Sequence, residues 1–311
     1  MRNAFVEKLT ELARKDPRIF LITGDLGFGV LTDFAAEFPR QYLNAGVAEQ
    51  TMTAVAAGMA LEGRVVFTYS IANFPTLRCL EQIRNDICYH GANVNVVSIG
   101  GGFSYGPLGM SHFATEDLSI MRALPNMTVV VPSEKWQVAD AVEALVAHPG
   151  PCYLRLDKSD AGRARQPGET FALGKARLVR AGSDLTLVAA GGVLKEALDA
   201  AEALAAEGIA CRVLDMPTLK PLDAGALAAA AAETGGIVTV EENTVLGGLG
   251  GAVAEVCLEQ GVRPRQFQRV GLNDEYPEIV GDQLYLRKAY HLDSGAVAAV
   301  ARRLVAANRA A

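Results

Sequence analysis

LNAGVAEQTMTAVAAGMALEGRVVF, residues 43–67, sets a helix of small apolar residues directly before an unbroken β-branched run. Ala, Met and Leu favour helix from about residue 48 to 61, and Glu62–Gly63 is a natural stop. RVVFTYS (64–70) then reads as a strand with no polar–apolar alternation, so it expects cover on both faces. A strand of that kind belongs to a parallel sheet sandwiched between helices. One residue resists the pattern. Glu49 starts a helix whose apolar character on nearly every side predicts burial all round. An acid in the first turn gains a few tenths to about 1 kcal/mol from the helix dipole and its free amides. A buried carboxylate nonetheless needs a partner or a task to be retained.

The alternation extends outward from this unit. RIFLIT (18–23), NVNVVSIG (93–100), MTVVVP (127–132) and PCYLRL (151–156) are further strand candidates, with helical patterns near 76–89, 115–124 and 134–147 between them. Such a series predicts an α/β domain with right-handed crossovers. KSDAGRARQPGETFALGKA (158–176) breaks the rhythm, being polar, carrying Gly and Pro, and lacking an apolar face. The expected division is therefore a first domain over 1–158, a linker over 159–175 and a second domain over 176–311. The second series runs DLTLVAAG, KEALDAAEALAAEG, IACRVLDM, DAGALAAAAAETG and GIVTVEE, then a helix over about 248–260 and a final helix over about 294–307. The fold class expected is two α/β domains with mainly parallel sheets.

The chain has 311 residues, half of them hydrophobic, and a net charge of −6. With no basic run, nucleic acid and anionic membrane are poor partners. No uncharged apolar run approaches the roughly 20 residues of a bilayer span, and the charged amphipathic start is no signal peptide. Cys79, Cys88, Cys152, Cys211 and Cys257 form no CxxC or Cys/His cluster, so reduced buried thiols in a cytoplasmic protein are expected, without a structural zinc. The glycines at 100–102 and 247–251 do not make a GxGxxG opening a helix after the first strand, which leaves dinucleotide binding weak.

NAGVAEQ (44–50), preceded by TGDLGFG (23–29) and followed by YSIANF (69–74) and GMSHFATEDLSIMRALPNMTVVVPS (109–133), resembles the pyrimidine-binding domain of the transketolase superfamily. DMPTLKPLD (215–223) and VEENTVLGGLG (240–250) resemble the C-terminal domain that follows it there. The ordered set covers almost the whole chain. The superfamily uses thiamine diphosphate and includes transketolase, deoxyxylulose-phosphate synthase and the β subunits of 2-oxo-acid dehydrogenase decarboxylases.

The resemblance implies roles for named residues. Glu49 would hydrogen-bond a ring nitrogen of the cofactor's aminopyrimidine and share a proton with it, general acid–base work in a dry pocket. Phe74 would stack on that ring, with Ile71 as a second apolar contact; read without the family, Phe74 is an ordinary core residue. Asp25 would lie near the cofactor at a subunit interface, or else cap a helix. His112, alone among His90, His112, His148 and His291, falls in a matching motif and would face the reaction centre, orienting a carbonyl or stabilising an oxyanion. Otherwise it is a loop histidine bonded to backbone. Lys158 stands where transketolase has a phosphate-binding arginine, and could act there as a point charge, while Arg155 reads as structural.

The sequence also departs from the family. No GDG occurs, the motif with which these enzymes hold magnesium and diphosphate. The implied partner is an N-terminal, diphosphate-binding transketolase subunit, paired as α2β2, that binds the Mg2+ (or Ca2+) ion, this chain supplying no metal ligand. By ungapped counting, Leu108 and Gly100 replace an aspartate and a histidine that touch sugar hydroxyls in transketolase. The substrate end is thus altered while the cofactor end is intact. The leading expectation is a subunit of a transketolase-like enzyme moving a two-carbon ketol unit from a ketose (phosphate) to an aldehyde. The alternatives are the β subunit of a 2-oxo-acid decarboxylating complex, a deoxyxylulose-phosphate-synthase-like condensation and, remotely, a non-catalytic scaffold.

Overall fold

The computed structural model describes residues 1–310. Twelve strands alternate with helices: β1 Ile19–Thr23, β2 Tyr42–Asn44, β3 Val65–Ile71, β4 Val94–Ile99, β5 Thr128–Val130, β6 Cys152–Leu156, β7 Arg177–Arg180, β8 Leu185–Ala189, β9 Cys211–Asp215, β10 Thr218–Lys220, β11 Ile237–Thr244 and β12 Phe267–Leu272. A seven-stranded sheet has the order β10-β5-β6-β4-β3-β1-β2, and a five-stranded sheet the order β12-β11-β8-β9-β7. All pairings are parallel except β10 with β5 and β7 with β9. The unalternating runs sit as their pattern demands: every residue of β4 is buried, and every residue of β3 except Ile71.

Two features depart from the sequence reading. The helix Glu49–Leu61 is not buried all round. Met52, Thr53, Ala56, Ala57 and Ala60 face the core, whereas Ala54, Val55, Gly58 and Leu61 are exposed. An apolar composition reports what a helix can bury, but within this chain only one side has a neighbour. The helical pattern near 76–89 becomes a run of turns to Cys79, a short helix Leu80–Gln82 and a π-helical turn Ile83–Cys88. Pro75 disfavours the helical region for Phe74 and has no amide hydrogen to donate, which delays the helix.

The sequence gives no hint of β10, which comes from the second half yet pairs with β5 of the first sheet. Without it β5 would be an open edge with unpaired amides. Apolar packing follows the same route. Leu118, Met121, Leu124 and Met127 belong to one cluster with Met216, Leu219, Leu227, Leu249 and Val253. The two sheets share a continuous core, and the loop after β4 is tied to the second half through the Phe103 amide, which donates to Glu242.

Candidate active site

Loops leaving the carboxyl ends of β1, β2, β3 and β4 converge on one edge of the first sheet, where open parallel sheets bind ligands. Glu49 begins the helix that follows β2. Its side chain is 3% exposed, and a Cβ on Gly24 would touch its Cγ at 3.3 Å, so the loop after β1 lies directly against it. Among the described residues the carboxylate has one charged partner, Arg78, whose Nη1 donates to Oε2 at 3.0 Å. Arg78 is itself 47% exposed.

The guanidinium of Arg78 also lies 4.3 Å from the centroid of the Phe74 ring. Phe74 stands edge-on to His112 at 5.2 Å, and His112 is 6.2 Å from Tyr105. The Tyr105 ring carries the Lys158 ammonium 3.6 Å above its centroid. Glu49, Arg78, Phe74, His112, Tyr105 and Lys158 thus form an unbroken line of contacts. Asn73 ties the two loops together, donating to the Ser111 carbonyl at 2.6 Å. Ile71 ends β3, and its carbonyl accepts from the Phe74 amide at 2.8 Å, which turns Phe74 over the site.

Burial first, then the Arg78 charge, lowers the His112 pKa, so the imidazole stays neutral at ordinary pH. Nδ1 is 2.9 Å from the Ser111 hydroxyl; when it accepts from that group, Nε2 carries the proton and is available to donate. Burial, then Arg2 nearby, lowers the Lys158 pKa. Asp25 does not cap a helix. It sits in the left-handed region at φ +58 and exchanges hydrogen bonds with Asn44, its amide donating to Oδ1 at 3.0 Å and its carboxylate accepting from Nδ2 at 2.9 Å.

The structure therefore brings Glu49, Phe74 and His112 together, links Lys158 to them through Tyr105, and sets Ile71 and Asp25 at the flanks. Arg78 and Tyr105 escaped sequence reading. Arg78 lies one helical turn beyond Phe74, but Pro75 conceals that spacing, and Tyr105 looks like one aromatic in a glycine-rich loop. Arg155, by contrast, is 2% exposed and paired at 3.3 Å with both Asp117 and Asp157, a structural role.

An α/β sheet pair with an acid, an aromatic and a histidine gathered at one carboxyl edge has the layout of a ligand-binding α/β enzyme. The family description "Transketolase, pyrimidine binding domain" matches residues 1–163, and "Transketolase, C-terminal domain" matches residues 174–297. The chain is 39% identical to the 6-deoxy-6-sulfo-D-fructose transketolase subunit SqwH of a Clostridium species, covering 94% of this chain and 90% of that one. It is 40% identical to an apulose-4-phosphate transketolase subunit of Phocaeicola vulgatus, covering 88% of each. A solved structure titled as a split gene transketolase, inactive beta4 tetramer, superposes with a TM-score of 0.88 at 39% identity, covering 98% of this chain and 97% of that one. The chain belongs to the transketolase family. It is the C-terminal, pyrimidine-binding part of a transketolase-like transferase, and membership implies dependence on thiamine diphosphate.

The residues present fit the pyrimidine end of that cofactor. Arg78 presents a flat, N–H-bearing group that hydrogen-bonds Glu49 and stacks on Phe74. An aminopyrimidine taking the place of that group could make the same two contacts, so the chemistry of these residues fits.

Proposed function

We propose that this chain supplies the pyrimidine half of a split active site, and that the assembled enzyme transfers a two-carbon ketol unit from a ketose bearing an acid group to an aldehyde. The observation that carries this is Glu49: a carboxylate 3% exposed, at an open ligand edge, whose charged partner among the described residues is the half-exposed Arg78. When bound, thiamine diphosphate supplies the electron sink for such transfers. Glu49 would hold and share the proton at a ring nitrogen, once Arg78 has turned outward. Phe74 and Ile71 would exclude water from the ring's face, and Asp25, fixed by Asn44, would line the cofactor side. His112 would orient the substrate carbonyl through its free nitrogen. Lys158 would attract the acid group.

Exposed apolar residues rim the same edge: Phe28 (81% exposed), Val47 (76%), Leu108, Leu77 and Met110. So many on one edge favour closure by another protein surface. Both relatives above are named as subunits, which supports a diphosphate-binding partner and an α2β2 assembly. The Mg2+ or Ca2+ ion is assigned to that partner, since the chain has no GDG. The relatives' names contain one sulfonated and one phosphorylated sugar, which supports an acidic donor. No described helix is long and apolar enough to cross a membrane; five free, buried cysteines support a cytoplasmic location.

Calorimetric titration with thiamine diphosphate and magnesium tests the split site. Binding is expected in the mixture with the partner subunit and not with this chain alone. Equally tight binding by this chain alone would refute it.

A further inference from the structure

Tyr105 is the joint of the substrate end. The three glycines that precede it on the loop after β4 are each forced by a neighbour. A Cβ on Gly101 would collide with the Arg155 guanidinium, and one on Gly102 with Glu242. Gly100, at φ +83, has no room for a side chain because the Tyr105 ring fills that space. A bulky aromatic has thus taken the volume above residue 100, and it meets His112 on one side and Lys158 on the other.

Lys158 is held at both ends. Its amide donates to the Ser104 hydroxyl at 3.2 Å, and Ser104 in turn bonds the Gly101 carbonyl at 2.7 Å, fixing the backbone to the same loop. Its ammonium rests on the Tyr105 ring and pairs with no carboxylate among the described residues. Beyond it opens a cavity of about 310 Å3 lined by Tyr105, Lys158, Arg2, Asn3, Lys135 and Asp157. Lys135 there is paired with Asp160 at 3.3 Å, and Asp157 with Arg155. That leaves Lys158, oriented by an aromatic face, and Arg2 as the side-chain cations without a carboxylate partner among the described residues, an arrangement suited to an anion.

We infer that Tyr105 is a specificity-determining positioning residue, which holds the Lys158 ammonium as the anchor for the acid group of the donor sugar. The inference rests on the ketol-transfer reading above. Gly100 is the condition for it, since any side chain there would evict the ring. The line from Phe74 through His112 and Tyr105 to Lys158 then gauges the donor, with its carbonyl at one end and its phosphate or sulfonate at the other.

The test uses the enzyme assembled with its partner and two donors: D-fructose 6-phosphate, and L-erythrulose, which carries no acid group. Tyr105→Leu should raise KM for the phosphate about tenfold, and any change it causes through His112 in kcat or in the L-erythrulose constants should be much smaller than that. Tyr105→Phe keeps the ring and should restore wild-type values, whereas Lys158→Met should reproduce Tyr105→Leu. Equal losses on both donors, or an unchanged KM for the phosphate, would overturn the inference. If wild type turns over neither donor, the ketol-transfer reading itself fails. A second measurement on this chain alone still decides the anchor. After reductive 13C-methylation, the Lys158 signal should lie upfield in the ring current of Tyr105. It should move with D-fructose 6-phosphate and not with L-erythrulose. A wild-type signal indifferent to the phosphate overturns the anchor, and a response that persists in Tyr105→Leu overturns the part given to Tyr105.

Discussion

Both sheets carry acids at the carboxyl ends of parallel strands, and their circumstances differ. In the second sheet the buried ones, Glu241, Glu242 and Asp215, are consumed by the protein itself. Glu241 accepts from the Leu249 and Gly250 amides at 2.6 and 2.8 Å, at the start of the helix Leu249–Glu259. Glu242 accepts from Arg287, Gln283 and the Phe103 amide. Asp215, ending β9, accepts from Ser133, Gln137 and Arg177. In the first sheet Glu49 is as buried as these, yet its charged partner is a side chain half in solvent. Burial alone therefore does not mark a functional acid. What marks it is how much of its hydrogen-bonding capacity the fold leaves unspent.

The sharpest way to break this comparison is Glu49→Gln. Turnover of the assembled enzyme should fall roughly 10²–10⁴-fold, the range for losing an acid–base group, while the unfolding midpoint stays at the wild-type value. An unfolded or strongly destabilised variant would move Glu49 into the structural set. Glu242→Gln should do the reverse. It removes the nearer of the two carboxylates that pair with the buried Arg287, leaving Glu196 at 3.4 Å, and should cost up to about 3–5 kcal/mol in urea-induced unfolding, as broken buried pairs do. A variant as stable as wild type would show that the second sheet's acids are not what fastens the two halves.

Glu241 gives the smallest effect and the finest test. Burial pushes its pKa up from 4.5 to about 7 in spite of the two amide donors. The folded state then holds this proton more tightly than the unfolded chain does, so its contribution to stability is complete below pH 4.5 and is lost as the pH rises through about 7. Compared with Glu241→Gln, which has no charge to bury, wild type should lose ground between pH 5 and pH 8, by on the order of 2 kcal/mol. Unfolding curves of both proteins at the two pH values measure it. A constant difference would mean that the amides hold the carboxylate ionised throughout.

Much of this was legible along the chain. The unalternating runs VVF in β3 and TVVV at β5 pointed to the parallel sheet, because a strand covered on both faces is mostly apolar on both. Glu49 stood out because an acid opened an otherwise apolar helix. The glycines at 100–102 illustrate the limit: the sequence offered only a weak nucleotide motif, and their cause is contact with Arg155, Glu242 and the Tyr105 ring. Arg155 and Glu242 lie on strands of different sheets. Likewise the pairing of β10 with β5, the half-open face of the helix Glu49–Leu61 and the pairing of Arg78 with Glu49 all join segments that no local pattern connects.

By itself, then, the sequence determined most of the strands and helices, that the sheets are mainly parallel, and which acid was out of place, since periodicity and propensity are properties of neighbouring residues. Only the tertiary structure decided which acids are neutralised and which is left available, and that Tyr105 bridges His112 to Lys158. The energy of a buried charge or a closely packed ring depends on the partners that folding delivers from elsewhere in the chain.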